Sequence, residues 1–304
     1  MAAMRQDLIF DVGMHRGEDT VFYLLKGFHV VAVEVHPDLA SEVAQRLANY
    51  VNSGQLIIVN KAIAADEGEV RFYANQHESI WGTIDPTFSE RNRRKGAQTY
   101  EIIVPSIRFI TLIKTYGVPY FLKVDIEGAD RLCLDGLLES DLSSDSLPKY
   151  LSIESSKSSF GDVQQELATL QRLGYRKFKI VPQRRVASQI LPNPALEGNY
   201  VTHRFEEGSS GAFGQEAPGR WMDAEAALRT YRWIFYWYRL AGDDAAFTRI
   251  GRRLLRAHGA AKIPVTATPV TASSAPERLT PVEKFVRTLS SGLRPGWYDT
   301  HAMR

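Results

Sequence analysis

The chain has 304 residues, enough for one large or two small domains around a sizeable core. Its 37 basic and 35 acidic residues leave a net charge of +2, which supplies no global electrostatic footprint for nucleic acid. A single cysteine, Cys133, excludes an intrachain disulfide, and no apolar run approaches the ~18–20 residues of a membrane span.

The first strand is expected at Leu8-Ile9-Phe10, an apolar run of the kind that is buried in a parallel sheet. A strand so near residue 1 leaves no room for a signal peptide, and with the cysteine usage this makes the cytoplasm the expected location. Asp11 closes the run, Gly13 and Gly17 flank a turn, and Val21–Lys26 has helical periodicity. A strand, a glycine-bearing turn and a helix start together form a ligand cradle. The pattern is D-x-G-x-x-x-G and lacks the middle glycine of a dinucleotide fingerprint, so a smaller nucleoside ligand suits it better.

Phe28–Val35 is the second expected strand, with Glu34 near its end. Pro37 opens an amphipathic helix carrying Leu39, Ala40, Val43, Leu47 and Val51, and Leu56–Ile63 is a third strand. This β-α-β-α-β order implies a parallel sheet with right-handed crossovers. An acid ending the second strand ~20 residues after the glycine turn can accept bonds from ribose hydroxyls, in dinucleotide and other nucleoside proteins alike.

Glu69–Ala74 and Glu101–Ile107 read as strands enclosing a polar insertion with His77, Glu78, Ser79, Trp81, Gly82, Arg91, Arg93, Arg94 and Lys95. Such loops form lids or substrate contacts, and a solvated charge run is the alternative. After a short helix at Phe109–Tyr116, the strand Tyr120–Ile126 runs into Glu127-Gly128-Ala129-Asp130 and a leucine-bearing helix. The i, i+2 spacing of Asp125 and Glu127 points both carboxylates to one face at the ligand edge of the sheet. Two carboxylates buried together call for a cation, an amine or a proton, and helix capping by Asp125 or Asp130 is the competing explanation. Tyr150–Ser155 brings Glu154 to the same edge, and a helix over Asp162–Leu173 follows. Lys177–Val181 and Tyr200–Phe205 are expected to pair as an antiparallel edge, completing seven strands.

These residues resemble the FkbM-type S-adenosylmethionine-dependent methyltransferases of the class I fold, over about residues 7–181. The resemblance rests on DVGMHRG, VEVHP, VNKAIAADEGEV, FLKVDIEGAD and YLSIES in the family's order, with KVDIEGAD the most specific. The fold it implies is α/β, a Rossmann-like seven-stranded class I methyltransferase sheet with a C-terminal helical extension. The activity it implies is methyl transfer from S-adenosylmethionine to an oxygen of a sugar or other small polar metabolite. By matching positions, Gly13 and Gly17 line the cofactor and Glu34 holds the ribose, with Asp11, His15 and Val35 also assigned to the cofactor site. Asn60, Lys61 and Ala62 approach the adenine, and Asp125 lies beside the methionine moiety. The usual turn is closer to G-A-N-x-G, so His15 gives the methionine end a different shape.

Methyl transfer needs an aligned acceptor, exclusion of water and removal of a hydroxyl proton. Asp125, Glu127 and Glu154 are the candidate catalytic carboxylates, with His15, His36 and His77 nearby. Asp125 and Glu154 holding a divalent cation is the alternative, and no metal-ligand set is assigned. The rival functions are a nicotinamide-dependent oxidoreductase and a non-catalytic, partner-binding protein on the same fold.

The domain reading is a methyltransferase domain at 1–207, a Gly-rich loop with a helical hairpin at 208–258, and a linker and tail at 259–304. Gly208–Trp221 is a lid or linker, and Asp223–Leu240 carries an apolar stripe with Trp233 and Trp237 on a second buried face. Asp243 caps a second helix, and these helices offer a homo-oligomer surface. Ala260–Pro276 reads as an exposed linker, and His301 in the tail is a candidate to complete the site.

Overall fold

Five consecutive buried residues, Leu8 to Val12, end strand β1 (Met4–Val12), and such a run needs cover on both faces of a sheet. The computed structural model describes residues 3–75, 82–94, 98–126, 128–140, 142, 146–157, 159–206, 208–241 and 296–304. Helix α1 (Glu18–Leu25) returns the chain to β2 (His29–Val33), and α2 (Pro37–Arg46) with α3 (Ala48–Asn52) returns it to β3 (Leu56–Val59). All three strands pair in parallel.

The expected strand Leu56–Ile63 is broken in two. Asn60 donates its side-chain amide to the Glu34 and Val35 carbonyls, at 2.7 and 3.2 Å, and turns the chain out of the main sheet. β4 (Ala62–Ile63) then joins β5 (Gly68–Asn75) and β6 (Thr99–Ile107) in a separate three-stranded sheet, with α4 (Pro86–Arg94) between β5 and β6 in sequence. Ala62, Phe72, Ala74 and Val104 form its small core.

The chain re-enters the main sheet through α5 (Phe109–Tyr116) and β7 (Val118–Val124), all seven residues of which are buried. Helix α6 (Arg131–Leu138), β8 (Tyr150–Glu154), α7 (Phe160–Arg172) and β9 (Lys177–Pro182) follow. The seventh strand departs from expectation. Tyr200–Phe205 forms no strand; instead β10 (Tyr298–Met303) lies antiparallel between β8 and β9, giving the order β3-β2-β1-β7-β8-β10-β9. The slot admits only side chains that can be buried on both faces, and Asp299, Thr300, His301 and Ala302 are all buried there. In 200–205, Tyr200 is exposed, while Phe205 packs edge-on against Phe22 at 4.9 Å.

The segment 195–217 is bound to the sheet by buried charge. Lys26 and Glu216 pair at 2.9 Å with essentially no exposure, and Glu216 also accepts the N–H groups of Leu196 and Glu197. Tyr120 donates its hydroxyl to Glu197 at 2.7 Å. Tyr120→Phe is expected to cost about 2 kcal/mol in urea denaturation, because a buried carboxylate loses a donor.

The contacts group Met1–Leu228 with Trp297–Arg304 as one compact unit and Arg229–Gly296 as another. Helix α8 (Ala224–Ala241) buries Ala224, Ala227, Tyr231 and Ile234, as its stripe requires. Its second face is not buried: Trp233 and Trp237 are 66% and 47% exposed. The second helix of the hairpin and the 260–276 linker lie outside the described residues. Among the described residues, no helix is long and apolar enough to cross a membrane.

Candidate active site

The turn after β1 is set by backbone crowding. Gly13 has φ 92°, and a Cβ there would stand 1.8 Å from the Asp125 carbonyl oxygen. Gly13 and Met14 both donate their N–H to the Val33 carbonyl, at 3.0 and 2.9 Å. His15 adopts a left-handed φ of 52°, uncommon for a residue with a side chain. That geometry delivers the His15 N–H to Glu34 Oε2 at 2.8 Å, while the His36 N–H reaches Oε1 at 2.8 Å. Burial pushes the Glu34 carboxyl up to about 6 despite these two donors. Each oxygen keeps a lone pair, and the side chain lines the cavity beside the turn. The His15 ring sits 3.2 Å from Glu18; burial works against the Glu18 charge, but this bond holds its carboxyl below the usual range.

Below the turn, the switch point between β1 and β7 is filled by one lysine. Lys123 Nζ stands 3.2 Å from Asp11, 3.4 Å from Asp19 and 3.9 Å from Asp125, and donates to the Gly13 carbonyl at 3.1 Å. Burial alone would lower its pKa, yet the three carboxylates hold it well above the ordinary lysine value. Asp11 accepts the Thr20 hydroxyl at 2.6 Å. Asp19 accepts the N–H groups of Ser210 and Gly211, tying the 208–211 loop to α1. Burial raises the Asp19 carboxyl to about 6.

Above this cluster opens a cavity of about 230 Å³ along the carboxyl edge of the sheet. At the β2 side, Glu34 stands with apolar Val35, Ala62, Ile63, Phe72 and Ile84. At the β8–β10 side it is lined by Glu154, Lys157, Gln183, Ser209, Trp297 and Asp299. Glu154 pairs with Lys157 at 2.5 Å, and burial followed by the Asp125 charge pushes its carboxyl up to about 7. Asp299, directly opposite Glu154 in the β8–β10 ladder, is raised well above the usual range by burial and then by Asp125 and Glu154. The Lys157 ammonium lies 5.1 Å over the Trp297 ring.

Of the residues singled out in the sequence, Gly13, His15, Glu34, Val35, Lys61, Ala62, Asp125 and Glu154 line this one cavity. Asp11, Gly17 and Asn60 do not, and each shapes its surroundings. Asp11 is buried on Lys123, and Asn60 spends its amide on the end of β2. Gly17 starts α1 with φ 76°, its α-carbon facing Val43 and Arg46. Glu127 and His77 lie outside the described residues, as do Glu78, Ser79, Trp81 and Lys95. Asp130 accepts the Ile126 and Gly128 N–H groups at 2.9 and 3.1 Å, which braces the turn before α6 without a side-chain cap on the helix, and Asp125 is left at the cavity. His36 bonds Tyr100, and His301 is buried within β10, so neither lines the cavity. Sequence reasoning missed Lys123, Asp19, Gln183, Ser209, Trp297 and Asp299. The signal for Lys123 was a lysine inside a buried strand, and a charge there requires carboxylate partners. Among the described residues, no three His, Cys, Asp or Glu side chains are grouped to hold a metal ion.

No curated protein matches the chain in sequence. Among solved structures, a SAM-dependent methyltransferase from Thiobacillus denitrificans in complex with S-adenosyl-L-homocysteine is 9% identical. That match covers 99% of this chain and 86% of the other, with a TM-score of 0.34. A SAM-dependent methyltransferase from Geobacter sulfurreducens, also in complex with S-adenosyl-L-homocysteine, is 10% identical over 99% and 85% of the two chains, with a TM-score of 0.32. The family profile described as the methyltransferase FkbM domain matches residues 11–177, which contain the glycine turn, Glu34, Lys123, Asp125 and Glu154. The chain belongs to the FkbM methyltransferase family.

Proposed function

We propose that the cavity binds S-adenosylmethionine and that the protein methylates a hydroxyl of a small polar acceptor, with a sugar as the favoured class. The observation that carries this reading is the Glu34 carboxylate. Two backbone N–H groups fix its position, its remaining lone pairs are available to vicinal hydroxyls, and apolar side chains beside it suit a flat base. The residues therefore fit an adenosyl group. When bound, S-adenosylmethionine supplies an electrophilic methyl group.

The protein's own contribution is placement and proton handling. Lys123 and Asp19 hold the turn and the 208–211 loop, and that loop, with Trp297, helps to enclose the cavity. Asp125, Glu154, Asp299 and the Gln183 amide present hydrogen-bonding groups near the Trp297 ring, a lining suited to a neutral, hydroxyl-rich ring. A carboxylate whose pKa is raised toward neutrality is suited to accept a hydroxyl proton, and Glu154 at about 7 meets that condition.

The test is calorimetric titration with S-adenosylmethionine, S-adenosylhomocysteine and NAD in parallel. Binding of the two adenosyl ligands alone supports the reading, whereas binding of NAD alone overturns it in favour of an oxidoreductase. Glu34→Ala is expected to weaken S-adenosylhomocysteine about 100-fold, as loss of charged hydrogen bonds should, while a circular-dichroism melt reports whether the fold is kept.

A further inference from the structure

The acceptor side of the cavity joins two strands that are remote in sequence. Glu154 ends β8 and Asp299 lies near the start of β10, and the two are directly opposed in the antiparallel ladder. Opposed residues project to the same face of a sheet, and both of these line the cavity. Among the described residues, the charges that act most on them come from four elements and turns around the cavity. Asp125 at the end of β7 and Asp130 in the turn before α6 add negative charge, as does Asp19 from α1. Lys157 pairs with Glu154, and Lys123 acts on Asp299 from β7. Glu166 of α7 bonds Ser155, which adjoins Glu154.

Two further side chains mark the place as a ligand site. Gln183 is 7% exposed and Ser209 is 6% exposed, and both line the cavity. Gln183 Nε2 and Ser209 Oγ have no hydrogen-bond partner among the described residues. Buried polar atoms left so are costly unless something else bonds them.

We propose that Glu154 and Asp299 are an acid–base pair that holds one shared proton in the free protein and releases it when a sulfonium cation enters the cavity. The proposal rests on the S-adenosylmethionine reading above and extends it to this chain's own proton handling. Asp299 is buried and Glu154 half-buried, and carboxylates on two such directly opposed residues cannot both ionise cheaply, so a shared proton is the low-cost state. The carboxyls agree with that state: burial and the neighbouring charges push Glu154 up to about 7 and hold Asp299 well above the usual carboxylate range. A positive charge nearby reverses the balance and favours the doubly ionised pair. Transfer of CH3+ from a sulfonium to a hydroxyl yields a thioether, an ether and one proton, and the ionised pair takes up that proton.

S-adenosylmethionine and S-adenosylhomocysteine supply the test, since both carry the same amine and carboxylate and only the first carries the sulfonium charge. Each is titrated into the full chain at pH 7 with EDTA, in buffers of different ionisation enthalpy, so that protons released are counted. Wild type is expected to release about one proton more with S-adenosylmethionine than with S-adenosylhomocysteine. Asp299→Asn and Glu154→Gln, each checked for an intact thermal melt, are expected to bind both ligands with no such difference. Equal proton counts in a wild type that binds both ligands overturn the pair. So does a difference that survives in either variant. Failure of wild type to bind either ligand overturns the cofactor reading itself, and the proposal with it.

Discussion

Gly13→Ala is expected to destabilise the protein by about 3 kcal/mol and to abolish binding of S-adenosylhomocysteine. The new methyl would meet the Asp125 carbonyl oxygen at 1.8 Å, on a backbone whose φ of 92° already disfavours any side chain. Neither strand can step back cheaply. Asp125 N–H bonds the Val12 carbonyl at 2.9 Å, and the two residues after Val12 are both tied to Val33. Relief of the clash must separate the ends of β1 and β7, moving the Glu34 platform and Asp125 apart. Gly17→Ala is the control, because its Cβ would meet Val43 Cγ1 at a tolerable 3.2 Å and the cost there is mainly conformational. Denaturant melts and calorimetry measure both effects, and wild-type affinity in Gly13→Ala would sink the account of the turn.

Lys123→Met is expected to cost about 3–5 kcal/mol at pH 8, because it leaves buried carboxylates without their cation. The loss should shrink as the pH falls. With Lys123 present, the folded Asp19 carboxyl already stands at about 6, above its ordinary 3.8, and removing the cation raises it further. A folded pKa above the unfolded value means that stability is full below the unfolded pKa and is lost as pH rises through the folded one. The variant is therefore expected to approach wild-type stability near pH 5 and to fall away toward pH 8. Urea denaturation across that range checks the slope, and a pH-independent deficit would show that Lys123 acts through packing alone.

The parallel half of the fold was readable because its information is local. Apolar runs such as Leu8–Phe10 and Phe28–Val33 announce buried strands, and the glycine turn and Glu34 fall at fixed offsets from them. The neighbourhood of β10 was not readable, since its membership in the sheet depends on partners far along the chain. Tyr298–Met303 has no apolar run and passes for a tail, whereas Tyr200–Phe205 alternates like a strand and is none. Asp299 and Trp297 were missed for the same reason, because a residue cannot be placed at a cavity before its strand is placed. Asn60 was assigned to the ligand by its position in a motif, but its amide already satisfies two carbonyls at the end of β2.

The interior position of β10 also governs the order in which this molecule can assemble. β8 and β9 are separated by a strand that reaches them only after residues 183–297 have been traversed, so their pairing closes a very long loop. Contacts of such sequence separation form late and slow folding. Until β10 arrives, two strand edges stand open to other chains, a recognised route to aggregation during synthesis. Once it is in place, the backbone amides of β8, β9 and β10 are locked in one ladder and should exchange with solvent as a single cooperative unit. The same opening that exposes those amides would carry Asp299 out of the cavity, so the β8–β10 side of the cavity is complete only once the last strand has docked.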